Sequence, residues 1–543
     1  MTFFKKIPFE IYLSIIWALS ILLVNPLGNF PLNDDWAYAK SVWNLYEHGN
    51  LVIGNWPAMT LIGQVLPGAF VSHFFGFSFI SLRFFTLIVS LVGAITFYNL
   101  AKCLSSNKNL AAFTTLLFFF NPLYFSLSFT FMTDVHFITT MLLSLFFFYK
   151  YLIKRRYSFF ILATIFSVIC TMIRQPGLIV PLGFAVAVFF SDQNIMSKIR
   201  SFIPFIVASL SLAIHSFWLS QSAESATSIV QFSDLIDLLY SVDLYHFLVR
   251  ISKSILYVGL FSFPLIVLFW KDIQQVFKVS IKTSLVISII TIILLLIGGV
   301  GFPAGNILYN LGLGPKLLKD AYWGENINPH INHELWIILL KIVSILSSIG
   351  LIFLLFYKKH FRNKAQQNLT FQTAYHPLKF FIFITSILYV SLIILSSSYF
   401  DRYTIPLFAY IVLLLLPLRI TFTKATSFVA INCLLIIVFF SISATHDYLS
   451  WNRARWDALN YLTEERKIKP ANIDGGFEFN GWHLTGAYTY DTAKKEDKSW
   501  WFVNNDEYVI AFGEIDGFQK IKGFQYRKIL PFKGDSIYIL HKK

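Results

Sequence analysis

Charge is scarce in this chain. Asp, Glu, Lys and Arg make up 13% of its 543 residues, where a soluble chain averages about 25%. Set against 56% hydrophobic and 18% aromatic residues, that deficit excludes an ordinary water-soluble globule. Cysteine is scarcer still: Cys103, Cys170 and Cys433 all fall in or beside apolar runs, so neither a disulfide framework nor a thiolate metal site is indicated. Gly475-Gly476 lacks a G-x-G-x-x-G context and reads as a turn. No internal repeat or low-complexity tract stands out, which weighs against transporters built from inverted repeats.

What the chain has instead is apolar runs near twenty residues, the length that crosses about 30 Å of hydrocarbon. Thirteen are predicted, near 8–25, 80–101, 109–127, 135–152, 157–173, 177–190, 201–219, 251–270, 283–300, 334–357, 379–397, 403–418 and 425–443. Lys5 and Lys6 give the first run the charged start of a signal peptide, but no small-residue cleavage site follows, so it reads as an uncleaved helix. With a cytoplasmic N-terminus, the inside loops collect Lys102, Lys108, Lys154, Arg155, Arg156, Lys198, Arg200 and the later Lys/Arg clusters. The opposite loops hold few cations and most acids, which is the lysine/arginine bias that sets orientation. This cytoplasmic fringe accounts for most of the net charge of +15, and no nucleic-acid partner is implied. The partner is the lipid bilayer.

The outer segments carry the chemistry. Asp34 and Asp35 follow the first span in PLNDDWAYAK, and Asp134 stands before the fourth in FMTDVHF. Acids this close to a bilayer are costly and are usually kept for a purpose. The first outer loop, 25–80, contains an amphipathic pattern of Trp36, Ala39, Val42, Trp43 and Tyr46, predicting a helix along the membrane interface. Asn33 or Asp34 can cap it, so helix capping is the plain alternative to catalysis. Arg83, at the entrance to span two, is expected to be a structural anchor or ion-pair partner rather than a ligand. Arg174 in IRQPG and Arg402 in DRYTIPL lie on the same outer side, where a planar guanidinium suits a phosphate. Interfacial snorkelling, or a local pair of Arg402 with Asp401, would explain them without a ligand. His330 and His333 in NPHINHE are weak candidates for a metal site. After residue 445 polar residues rise, and YVIAFG, FQYRKILPF and DSIYILHKK read as strands. The expectation is a polytopic α-helical membrane domain over 1–445 and a small α/β outer domain over 446–543.

In this order (NDDWAYA, an outer loop with an interfacial helix, GFSFISLRF, MTD, IRQPG, DRYTIPL) the chain resembles bacterial membrane glycosyltransferases of the protein-mannosyltransferase-like superfamily. These have the GT-C fold, are glycosyltransferase family 39-like, and include the lipid A aminoarabinose transferases. The resemblance covers nearly the whole membrane part. It implies transfer of a sugar from a polyprenyl-phosphate donor to a lipid, glycan or protein acceptor on the outer face of a bacterial inner (plasma) membrane. The N-terminus would be cytoplasmic and the C-terminal domain extracytoplasmic. Asp34 would be the base, with Asp35 and Asp134 completing the acidic site, and Arg402, with Tyr403 of the same motif, would face the carrier phosphate; Arg174 is added to the phosphate site from its outer-side position alone. The aminoarabinose enzymes carry a Glu-Lys-Pro element in the first outer loop, associated with metal and donor binding. The comparable stretch here, 55–60, is uncharged, so no cofactor is certain, although a divalent metal stays open. An oligosaccharide polymerase or ligase, or a lipid or solute transporter, is the alternative.

Overall fold

The computed structural model describes the chain except residues 1–6, 55, 106, 222–243, 280, 300–301, 304–306, 313–332, 366–376, 397, 418–421, 486–501, 504 and 531. A helix lies on each of the thirteen expected spans. Among the described residues, seven helices are long and apolar enough to cross a membrane, and the chain is a multi-pass membrane protein. Large apolar side chains such as Phe428, Ile431, Leu435 and Ile436 stand exposed on these helices, a surface that suits lipid rather than water.

Local chemistry sets the helix ends. The Ser78 hydroxyl accepts from the Ser81 N–H at the start of Phe79–Leu104, and the Asn107 side chain accepts from Asn109 and Leu110 at the start of Lys108–Phe119. The third expected span is two helices, Lys108–Phe119 and Pro122–Leu127. Proline suits the first turn of a helix and kinks or breaks an interior, and the Asn121 side chain caps the new start by accepting from Leu123.

The last expected span, 425–443, continues well past its expected end: one helix, Lys424–Asn460, runs unbroken through position 445. Beyond it lies a four-stranded sheet in the order β1 (Ile473–Asp474), β2 (Tyr508–Ala511), β4 (Phe532–Lys542), β3 (Phe518–Ile529). The β1–β2 pair is parallel, and the β2–β4 and β3–β4 pairs are antiparallel. The three expected strand segments are β2, the later part of β3 and β4; the two-residue β1 has no sequence signal of its own. Asp447 fixes the sheet to the long helix, its carboxylate accepting from Ile529 at 2.7 Å and Leu530 at 2.8 Å.

A short helix of this domain, Phe477–Leu484, packs on the helix Asp35–His48 in the long connection between the first two spans. Trp36 is buried there against Phe477 and Phe502, with ring centroids 5.9 and 5.7 Å apart. Gly481 faces the same indole so closely that a Cβ would lie 2.4 Å from it. The helix Asp35–His48 therefore differs from the interfacial expectation. Trp36, Ala39 and Val42 are covered by protein, while Trp43 and Tyr46 stay exposed.

Candidate active site

The loop after the first helix is held by side chains from distant parts of the chain. Buried Arg83 donates to the carbonyls of Pro26, Gly28 and Phe30, the anchoring role expected of it. Asp35 is buried, and both of its oxygens are used internally: Oδ1 accepts from Leu32 at 2.6 Å and Oδ2 from Phe131 at 3.0 Å. It thereby ties the connection between the first two spans to the turn that precedes Asp134. Burial pushes the Asp35 carboxyl up to about 8, against the two N–H bonds that favour its charged form. Asn33 takes the left-handed backbone conformation, φ 58°, which Asn tolerates better than most residues.

Asp34 is placed differently. It sits at the start of the helix Asp35–His48 but makes no capping bond with its side chain. Its Oδ1 accepts from the Trp56 indole at 3.1 Å, and its Oδ2 pairs with Arg402 Nη1 at 3.2 Å. The Asp34 side chain is 16% exposed and that of Arg402 is 6% exposed. Asp401 is not the partner of the Arg402 guanidinium. Its carboxylate accepts from the backbone of Arg402, Ile307 and Leu308 and so fixes the turn Asp401–Tyr403. Burial pushes Asp401 up to about 6.

Asp134 and Arg174 form a second pair at 2.8 Å, with side chains 1% and 9% exposed. Arg174 Nε also donates to Thr133 Oγ1 at 2.7 Å, and its guanidinium lies 5.9 Å from the rings of Phe137 and Tyr403. The two pairs form one cluster. Burial alone would lower the pKa of Arg402, but the groups around it, Asp134 and Asp34 first and then Tyr38 and Tyr403, raise it. Buried Tyr38, one turn beyond Asp34, feels all four charges, and its hydroxyl pKa is raised chiefly by burial. Arg402 Nε, Arg174 Nη2 and both Asp134 oxygens lack a well-aligned hydrogen-bond partner among the described residues.

Asp34, Asp134, Arg174, Arg402 and Tyr403 thus come together, and Asp35 supports them from behind. His330 lies outside the described residues, as does the side chain of His333. Among the described residues no three His, Cys, Asp or Glu side chains converge. Asp34 and Asp134 each face an arginine, a donor set that does not fit a divalent cation. Trp56, Thr133 and Tyr38 were not singled out as site residues from the sequence. Trp56 had one available signal, its place in the stretch comparable to the Glu-Lys-Pro element.

The model of the family described as dolichyl-phosphate-mannose-protein mannosyltransferase matches residues 68–220, the segment that holds Asp134 and Arg174. Over that segment, less than a third of the chain, the sequence is similar to that family. No curated protein matches it in sequence. Among solved structures it is similar to the archaeal oligosaccharyltransferase AglB from Archaeoglobus fulgidus, in complex with an inhibitory peptide and a dolichol-phosphate. That likeness has a TM-score of 0.47 and 14% identity over 92% of this chain and 62% of that one. The chain thus spans about 62% of the length of AglB. It is also similar to ArnT from Cupriavidus metallidurans bound to undecaprenyl phosphate, with a TM-score of 0.37 and 11% identity over 86% of this chain and 84% of that one. The same ArnT in the apo state gives 0.37 and 11%, covering 86% and 83%.

Proposed function

We propose that this protein is a GT-C glycosyltransferase that transfers a sugar from a polyprenyl-phosphate donor to a lipid, glycan or protein acceptor, with inversion at the anomeric carbon. The observation that carries the reading is the Asp34–Arg402 pair at 3.2 Å, beside Asp134–Arg174, with guanidinium N–H groups of both arginines unpartnered among the described residues. An isolated ion pair would have no need of spare donors. The phosphodiester of the donor, bound there, would take these N–H groups of Arg402 and Arg174 and draw Arg402 away from Asp34, and the leaving polyprenyl phosphate would stay on them.

The chemistry follows from that exchange. The acceptor oxygen forms a bond to the anomeric carbon as the bond from that carbon to the phosphate oxygen breaks. Polyprenyl phosphate leaves with the electron pair, its charge stabilised by the two guanidinium groups. The acceptor proton passes to Asp34, the site carboxylate that reaches solvent and stays hydrogen-bonded to Trp56. Asp134, buried against Arg174, holds that arginine in place. The site lies on the outer face of a bacterial plasma membrane, with the N-terminus inside and residues 446–543 as the extracytoplasmic domain.

The test supplies purified protein with sugar donors linked through one phosphate or through two. Release of polyprenyl phosphate from the monophosphate donor, in step with acceptor glycosylation, supports the proposal. Turnover of the diphosphate donor alone points to a polymerase or ligase, and movement of donor across vesicles without bond cleavage points to a transporter.

A further inference from the structure

The C-terminal domain reaches the candidate base through one buried carboxylate. Glu478, on the short helix Phe477–Leu484, has a fully buried side chain. Its Oε1 accepts from the backbone N–H of Asn33 at 2.9 Å, and its Oε2 pairs with Arg455 at 2.7 Å. Arg455 is equally buried and spends its remaining donors on the Gly475 carbonyl at 2.9 Å and the Asn452 side chain at 3.2 Å. An ion pair sealed this completely carries a large desolvation cost and is weak evidence for stability. Its outward connection is to Asn33, the residue just before Asp34.

Asn33 is also where the loop needs holding, because its left-handed backbone turns the chain so that the Asp34 carboxylate points to Arg402 and Trp56. Asp35 secures the neighbouring Leu32 N–H, and Glu478 secures that of Asn33. The helix that carries Glu478 also backs Trp56, whose ring lies 5.5 Å from Phe477 and whose N–H binds Asp34. We infer that Glu478 is a positioning residue: it acts through the Asn33 N–H to aim Asp34, and makes turnover depend on the C-terminal domain being docked. This rests on the reading of Asp34 as the base.

The test separates the acceptor from the charge. Glu478→Gln/Arg455→Met removes the ion pair but keeps an amide oxygen for Asn33, whereas Glu478→Leu/Arg455→Met removes the ion pair and the acceptor. Both are measured as full-length protein for turnover and for affinity toward polyprenyl phosphate. The first pair is expected near wild-type turnover, and the second to lose about tenfold or more in kcat, since small misplacements of a reacting group are costly, with lipid affinity unchanged. Equal turnover of the two overturns the inference. If either fails to give monodisperse protein, Asn33→Val reads the same geometry with the buried pair intact, because a β-branched residue resists the left-handed backbone. Loss of kcat at constant lipid affinity supports the inference, and unchanged turnover overturns it. Asp34→Asn runs alongside: if it retains turnover, it is the reading of the base that has failed.

Discussion

Removing the Arg402 guanidinium tests the proposed phosphate clamp, and the structure sets the size of the effect. Arg402 is nearly buried, pairs with Asp34 at 3.2 Å and has an Nε with no partner among the described residues. A hydrogen bond to a charged group contributes about 1.5–3 kcal/mol, so Arg402→Ala should weaken polyprenyl-phosphate affinity by about 10–150-fold. Arg402→Lys keeps the charge but loses the planar fork, a loss of about 0.5–1.5 kcal/mol or roughly 2–12-fold. Arg402→Ala also strands Asp34. Breaking a fully buried pair costs about 3–5 kcal/mol, and because Asp34 is 16% exposed and keeps Trp56, a smaller cost of about 1–3 kcal/mol is expected here. The double variant Asp34→Ala/Arg402→Ala should regain part of that stability without regaining lipid affinity. The assay is retention of labelled polyprenyl phosphate by purified protein, with thermal unfolding in parallel. Folded Arg402→Ala and Arg402→Lys proteins with wild-type lipid affinity would refute the clamp.

Other expectations follow from the same geometry. Gly481→Ala drives a methyl group into the Trp36 indole, where its Cβ would stand 2.4 Å away; overpacking of this kind costs about 1–3 kcal/mol, and limited proteolysis should show the C-terminal domain released first. Asp35 has a folded-state pKa of about 8 against an ordinary 3.8, and Asp401 about 6. An acid raised in this way contributes stability that is fully present below its unfolded pKa and lost as pH rises through the folded one. Apparent Tm should therefore fall between about pH 4 and 8, with a shallower slope in Asp35→Asn, and an equal slope would count against the assignment. In a background without the native cysteines, Ser398→Cys should react with an impermeant thiol reagent in intact cells and Asp192→Cys should not; equal labelling would overturn the orientation.

The membrane part was legible in the sequence because the bilayer imposes a length and a polarity on every crossing. The cations and acids of the site were legible from their shared side. Their pairing was not. Asp401 is the obvious partner for Arg402 in DRY, yet the guanidinium goes to Asp34, 368 residues away. The division between Asp34 and Asp35 was equally hidden, because it depends on which neighbouring carboxylate meets the Phe131 N–H, 96 residues on. Local pattern does suggest a helix cap at this position, and the structure shows why it misleads: both acids find stronger distant partners. The C-terminal domain was legible as strands, but its reach to Asn33 through Glu478 crosses 445 residues and leaves no periodic trace.

The most direct test of the central claim is transfer by Asp34→Asn. The variant keeps the size of the side chain and an oxygen for the Trp56 N–H but cannot take a proton. Loss of a positioned general base costs about 10²–10⁴ in rate. The account predicts that purified Asp34→Asn folds normally, binds the polyprenyl-phosphate sugar and releases almost no polyprenyl phosphate, while Asp35→Asn is impaired chiefly in stability. Near-normal release by Asp34→Asn, in protein that folds and binds donor as wild type does, would contradict it.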